Sequence, residues 1–212
     1  MTVDFQTSLF DEPGTATAPT VGPLAGSALR HELDRGAWVD VRPGWVRGAD
    51  ELFARLVTDV PWYAERRQMY DRVVDVPRLT KFYSADETWP DPLLTEARDA
   101  LSRHYLAELG EPFTTAGMCY YRDGHDSVAW HGDTIGRSST EDTLVAILSL
   151  GDTRRLSLRP RLGGRSIGFD MGHGDLLVMG GSCQRTWEHA VLKTSHAVGP
   201  RISVQYRPRD VR

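Results

Sequence analysis

The sequence predicts an α+β fold that is mainly β, a two-sheet jelly roll fronted by N-terminal helices. Three observations carry this. Pro92 to Leu109 has apolar residues at helical spacing, while everything after Gly110 breaks into short apolar stretches separated by Gly- and Asp-rich turns. With 212 residues, 40% of them hydrophobic and 25% charged, the chain can build one domain with a substantial core.

Taken in order, residues 1–25 include the stretch PGTATAPTVGP and read as a flexible N-terminal tail, leaving 26–212 as a single domain. Leu52 to Val57 has a short amphipathic helical pattern, followed by Pro61-Trp62-Tyr63. From Pro92 the residues Leu93, Leu94, Ala97, Leu101 and Tyr105 recur at helical spacing, and Gly110 stops the helix. Strands are expected over Ala116–Tyr121, Thr143–Leu150, Leu156–Leu158, Ser166–Phe169, Asp175–Met179, His189–Leu192 and Ile202–Tyr206. The jelly roll should therefore span about 113–208.

Net charge is −4, unevenly spread: residues 154–212 hold eleven Arg/Lys against four Asp/Glu. Arg154, Arg155, Arg159, Arg161 and Arg165 fall close together, which suits either polyanion contact or a solvated strand-and-turn face. No run approaches the roughly 20 apolar residues of a membrane span, and no secretory signal opens the chain, so a cytoplasmic, monomeric protein is expected. Cys119 and Cys183 are too few for a disulfide framework and read as buried thiols.

Seven histidines make a metal site the first chemistry to consider. A non-haem iron centre uses two imidazoles and a carboxylate on one face of the ion. In an extended chain residues i and i+2 point to the same side, so His-x-Asp supplies two ligands from one strand end. Both His131-Gly132-Asp133 and His173-Gly174-Asp175 have this form. His189 lies several strands beyond His131 but only a hairpin beyond His173. The second segment, moreover, reads as a glycine turn entering the apolar Leu176-Leu177-Val178-Met179 run. His131, Asp133 and His189 are therefore the predicted ligands, with His173 structural.

In the last strand Arg201, Ser203, Gln205 and Arg207 share one face, and Ile202, Val204 and Tyr206 the other. Two inward arginines make sense if they meet a dianion, since a guanidinium fork matches a carboxylate and 2-oxoglutarate carries two. The alternative is an edge strand with a solvated polar face.

Tyr121-Arg122-Asp123-Gly124 leading to Trp130-His131-Gly132-Asp133, the Gly172–Asp175 turn with Gly180-Gly181, Trp187-Glu188-His189 and the closing Arg-x-Ser-x-x-x-Arg together resemble the AlkB family of nucleic-acid dealkylating dioxygenases over roughly 60–208. The resemblance implies a double-stranded β-helix with Fe(II) on His131, Asp133 and His189. It implies that Arg201, helped by Tyr121, pairs with the distal carboxylate of 2-oxoglutarate, and that Arg207 lies on the C1-carboxylate side. Cys119 and Ser203 stand where the family usually has Asn, which removes amide contacts around the cosubstrate. Thr134, Ile135 and Gly136 follow the metal Asp, where the well-known repair enzymes carry an acidic base reader. The implied chemistry consumes O₂ and 2-oxoglutarate and releases an N-alkyl carbon of DNA or RNA as formaldehyde.

In such a protein substrate contacts come from a lid, here about 60–85. Trp62 and Tyr70, within a stretch holding Arg66, Arg67 and Arg72, could stack a flipped base and clamp phosphates. Arg78 and Tyr83, on the strand Val76–Tyr83 beneath, are assigned to the substrate too, as are Arg159 and Arg161 of the arginine cluster; Phe82 is left to the core. A small-molecule hydroxylase on the same scaffold is the alternative, and a non-catalytic binding domain a distant third.

Overall fold

The computed structural model describes residues 18–69 and 72–211. Fourteen strands form among them. They are β1 (Thr20–Val21), β2 (Leu29–Glu32), β3 (Ala37–Arg42), β4 (Val46–Arg47), β5 (Tyr63–Met69), β6 (Arg72–Tyr83), β7 (Thr115–Tyr121), β8 (Val128–His131), β9 (Val145–Gly151), β10 (Arg154–Pro160), β11 (Ile167–Met171), β12 (Leu176–Gly181), β13 (Trp187–Val191) and β14 (Arg201–Arg207). Helix α1 (Ala49–Asp59) follows β4, α2 (Pro92–Leu109) follows β6, and the single turn α3 (Cys183–Thr186) precedes β13.

An eight-stranded antiparallel sheet, ordered β2-β3-β12-β9-β14-β7-β6-β5, faces a four-stranded sheet ordered β11-β10-β13-β8. Strand alternation decides what each face of the large sheet does. Ile202, Val204 and Tyr206 point to one side, where with Met118, Leu148 and Val178 they pack against Leu52 and Leu56 of α1 and Leu94, Leu101 and Tyr105 of α2. The intervening residues point between the sheets, where Ile147, Leu177 and Tyr121 meet Leu156, Leu158 and Val191 of the small sheet. This is the expected mainly-β sandwich, with helices covering one face only.

Helix α2 occupies the predicted residues. Asp91 accepts a hydrogen bond from the Leu93 amide, Pro92 occupies the first turn, where no N–H donor is missed, and Gly110 ends the helix at φ 76°. Helix α1 extends the expected Leu52–Val57 by about a turn. The N-terminus departs further from expectation. Thr20 and Val21 pair with Arg47 and Val46, Leu24 is buried, and Trp45, itself fully buried, donates its indole N–H to the Gly22 carbonyl. The tail expected over 1–25 therefore joins the fold from Thr20; residues 1–17 lie outside those described. Strands β2 and β3, not foreseen, add an edge to the large sheet by pairing with β12.

Cys183 is buried and Cys119 partly so, both as free thiols. No helix among the described residues is long and apolar enough to cross a membrane.

Candidate metal and cosubstrate centre

The ladder between β8 and β13 places His131 directly opposite His189, with ring centroids 4.2 Å apart. Gly132 then turns the chain so that Asp133 follows. A side chain at 132 would strike the Arg161 guanidinium and, at 2.6 Å, the Gln184 backbone carbonyl, so glycine is required between the two ligands. Asp133 is buried, and its amide donates to the Gln184 side chain at 2.9 Å. One ligand atom each from His131, Asp133 and His189 falls within a cluster whose members lie no more than 4.8 Å apart.

Protonation suits metal binding. His131 Nδ1 lies 2.8 Å from the Ala129 carbonyl, which makes Nδ1 the donor and leaves Nε2 as the nitrogen that can face a metal. Burial, reinforced by His131, pushes the His189 imidazole down to about 3, so it is neutral. Burial alone would raise the Asp133 carboxyl, but the Arg207 guanidinium, whose Nε donates to it at 2.7 Å, leads the groups that hold it down to about 2. Two imidazoles and one carboxylate on one side of a cavity form the ligand set of a non-haem iron centre.

The other His-Gly-Asp does what a turn does. Gly174 has φ 79°, His173 Nδ1 accepts the Gly151 amide at 2.7 Å, and Asp175 accepts the amides of Gly44 and Gly172.

Behind the triad lies a cavity of about 100 Å³. The odd-numbered face of β14 forms its floor. Arg201 is 1% exposed, donates through Nε to Ser149 Oγ at 2.8 Å, and keeps Nη1 buried without a partner. Tyr121 lies opposite it on β7, its ring 5.3 Å from the guanidinium and its phenol in contact with Ser203. Cys119 faces Ser203 across the same ladder. Arg207 also lines the cavity, lying over Gly117, where a Cβ would meet its Nη1 at 2.7 Å. Val128, Ile147, Leu156 and Val191 give the rest of the wall an apolar lining.

Residues 81–207 match the family model described as the 2OG-Fe(II) oxygenase superfamily. The chain belongs to this superfamily. Iron(II) and 2-oxoglutarate are the oxygenase cofactors, and His131, Asp133 and His189 are the residues that would hold the metal. The cavity fits the cosubstrate as well, because a desolvated guanidinium with an unpartnered N–H is an incomplete carboxylate site. Among relatives, the chain is 31% identical over 186 residues to the bovine alpha-ketoglutarate-dependent dioxygenase alkB homolog 3, covering 78% of this oxygenase and 64% of that protein. It is 25% identical over 182 residues to the human DNA oxidative demethylase ALKBH2, covering 75% and 68% respectively. The solved structure of OsALKBH1 superposes with a TM-score of 0.56 at 13% identity, covering 85% of this chain and 100% of the other.

The predicted substrate residues fare differently. Arg78 lines the cavity. Tyr83 does not: it is buried on the helix side of the large sheet, and Trp62 packs there too, its ring 5.3 Å from Tyr120 and its indole N–H on the Leu56 carbonyl. Strand parity is the reason. Thr80 pairs with Cys119, so Arg78, Thr80 and Phe82 share the cavity face while Leu79, Lys81 and Tyr83 face the helices. Tyr83 and Trp62 thus lie on the face away from the cavity, and Phe82, 38% exposed, does not belong to the core. Tyr70 lies outside the described residues.

The arginine cluster is largely paired within the protein. Arg159 and Arg161 both reach Glu188, Arg155 reaches Asp170, and buried Arg154 donates to the carbonyls of Asp123, Asp126 and Leu192. Sequence reasoning missed Gln184, whose contact with Asp133 spans 51 positions and leaves no local signal.

Proposed function

We propose that this protein is an Fe(II)- and 2-oxoglutarate-dependent dioxygenase of the AlkB type that removes N-alkyl groups from bases of DNA or RNA. The observation that carries the reading is the buried, unpartnered Arg201 Nη1 on the cavity behind an intact His131–Asp133–His189 cluster. The similarity to alkB homolog 3 and to a DNA oxidative demethylase supports the choice of substrate. When bound, iron and 2-oxoglutarate supply an oxidation in which O₂ and the keto acid yield succinate and CO₂, and the N-alkyl carbon leaves as an aldehyde. The chain's own residues do the rest. Arg201, with Tyr121 and Ser203, grips and orients the distal carboxylate. Arg207 holds the Asp133 carboxylate in place, and the apolar wall limits water around the reacting carbon. The chain would act as a cytoplasmic monomer.

A small-molecule hydroxylase is the second reading, favoured by the internal pairing of Arg159 and Arg161, which leaves less free positive charge for phosphates. Formaldehyde release from methylated oligonucleotides, with and without Fe(II) and 2-oxoglutarate, separates the two. Release only with both cofactors supports the dealkylase. Decarboxylation of 2-oxoglutarate that no oligonucleotide stimulates favours the hydroxylase.

A further inference from the structure

Charge around the cavity is unbalanced in one direction. Three acids near it are already held by arginines: Asp133 has Arg207, Asp126 has Arg122, and Glu188 lies between Arg159 and Arg161. Arg154, Arg201 and Arg78 have no carboxylate within ion-pair distance among the described residues. Arg154 is satisfied by three backbone carbonyls, and Arg201 is the cosubstrate's partner. Arg78 remains. Its Nε reaches Cys119 Sγ at 3.3 Å, a weak acceptor, and its Nη1 the Ser127 carbonyl at 3.1 Å; Glu65 acts on it at longer range. Past Asp133 the chain continues with uncharged Thr134 and Ile135, the latter 69% exposed.

With the cofactors in place, a divalent cation, Arg201 and Arg207 face one carboxylate and a dianion, so the cavity is positive before Arg78 is counted. Alkylation at N1 of adenine or N3 of cytosine makes the base a cation. Such a base would be buried against the positive charge of Arg78, which lines the same cavity as His131. A base that stays neutral after alkylation, with a carbonyl next to the alkylated nitrogen, offers Arg78 the acceptor it lacks. We infer that Arg78 is a specificity-determining residue that selects neutral, carbonyl-bearing alkylated bases, such as N1-methylguanine and N3-methylthymine, over cationic N1-methyladenine and N3-methylcytosine. This rests on the nucleic-acid reading above.

The test uses protein loaded with iron and 2-oxoglutarate and four single-stranded oligonucleotides differing only in the lesion. Binding is read anaerobically by fluorescence anisotropy, and formaldehyde release is read in air. The wild type should favour the neutral pair by a factor of about 10–100, and Arg78→Gln should remove that preference by weakening the neutral pair alone. Arg78→Glu should shift the preference toward the cationic pair. Arg78→Lys, which keeps the charge but loses the fork, should still disfavour cations and provides a folded control if the other variants melt early. Wild-type preference for the cationic lesions, or an equal loss on both classes in Arg78→Gln, overturns the inference and leaves the nucleic-acid reading standing. If no lesion outbinds unmodified strand and no formaldehyde forms while 2-oxoglutarate is still decarboxylated, the nucleic-acid reading falls and takes this inference with it.

Discussion

Replacing Arg201 with Met removes a charge from the centre of the large sheet while keeping most of its volume. In the cosubstrate-free protein the guanidinium is 1% exposed, with one hydrogen bond to Ser149 and Nη1 unpartnered. Losing the Ser149 bond is offset by relief of an unpaired buried cation, so the melting temperature without 2-oxoglutarate should change little. Binding should change much more. Truncating one partner of a buried, hydrogen-bonded charge pair costs about 2–5 kcal/mol, a loss of affinity of roughly 30-fold to several thousand-fold. Ligand at a hundred times its dissociation constant adds about 2.7 kcal/mol of stability, which for a chain of this size is roughly 5–11 °C. Thermal melts with Mn(II), with and without 2-oxoglutarate, should show that shift in the wild type and nearly none in Arg201→Met. A variant that keeps the full shift would place the cosubstrate anchor elsewhere and remove the main support for the functional reading.

Three further outcomes are expected. His131→Ala, Asp133→Ala and His189→Ala should each abolish iron binding and turnover with the fold retained, as seen by metal analysis and circular dichroism, whereas His173→Ala should keep its iron and lose about 1–3 kcal/mol of stability through the orphaned Gly151 amide; iron loss in His173→Ala alone would reverse the ligand assignment. Tyr83→Ala should destabilise by about 3–5 kcal/mol in urea unfolding, while Phe82→Ala should cost clearly less and be felt in turnover instead, and the opposite order would mean that the register of β6 on β7 is wrong. Because Glu188 offsets only one of the two charges of Arg159 and Arg161, changing both to Gln should flatten the salt dependence of oligonucleotide binding by no more than about one unit; a slope flattened by about one unit per arginine would show that both contact phosphate.

Much of the centre was legible because strand alternation is strict. The odd-numbered face of residues 201–207, the pairing of His131 with Asp133 and the turn role of His173 all follow from a period of two and from glycine placement. The facing of Phe82 and Tyr83 was not legible for the same physical reason. Adjacent residues of a strand face opposite ways, so Phe82 and Tyr83 differ completely in role, but which one meets the cavity depends on the pairing of Thr80 with Cys119, more than thirty positions away. The arginine cluster was visible as charge, while its partners were not. Glu188 comes to Arg159 only when β13 pairs with β10. Strands β2 and β3 escaped notice because Arg30 and Asp40, polar in sequence, form an ion pair with each other and cover an edge that sequence patterning reads as solvent.

The position of β14 has a consequence for how the molecule is made. The last strand in the chain sits in the middle of the large sheet, hydrogen-bonded to β7 on one side and β9 on the other. During synthesis both neighbours must wait, with unpaired edges, until residues 201–207 leave the ribosome. A nascent chain lacking them has an open sheet and lacks Arg201 and Arg207 from the cavity. Closure of the large sheet and of the cavity floor that β14 forms is thus a single event.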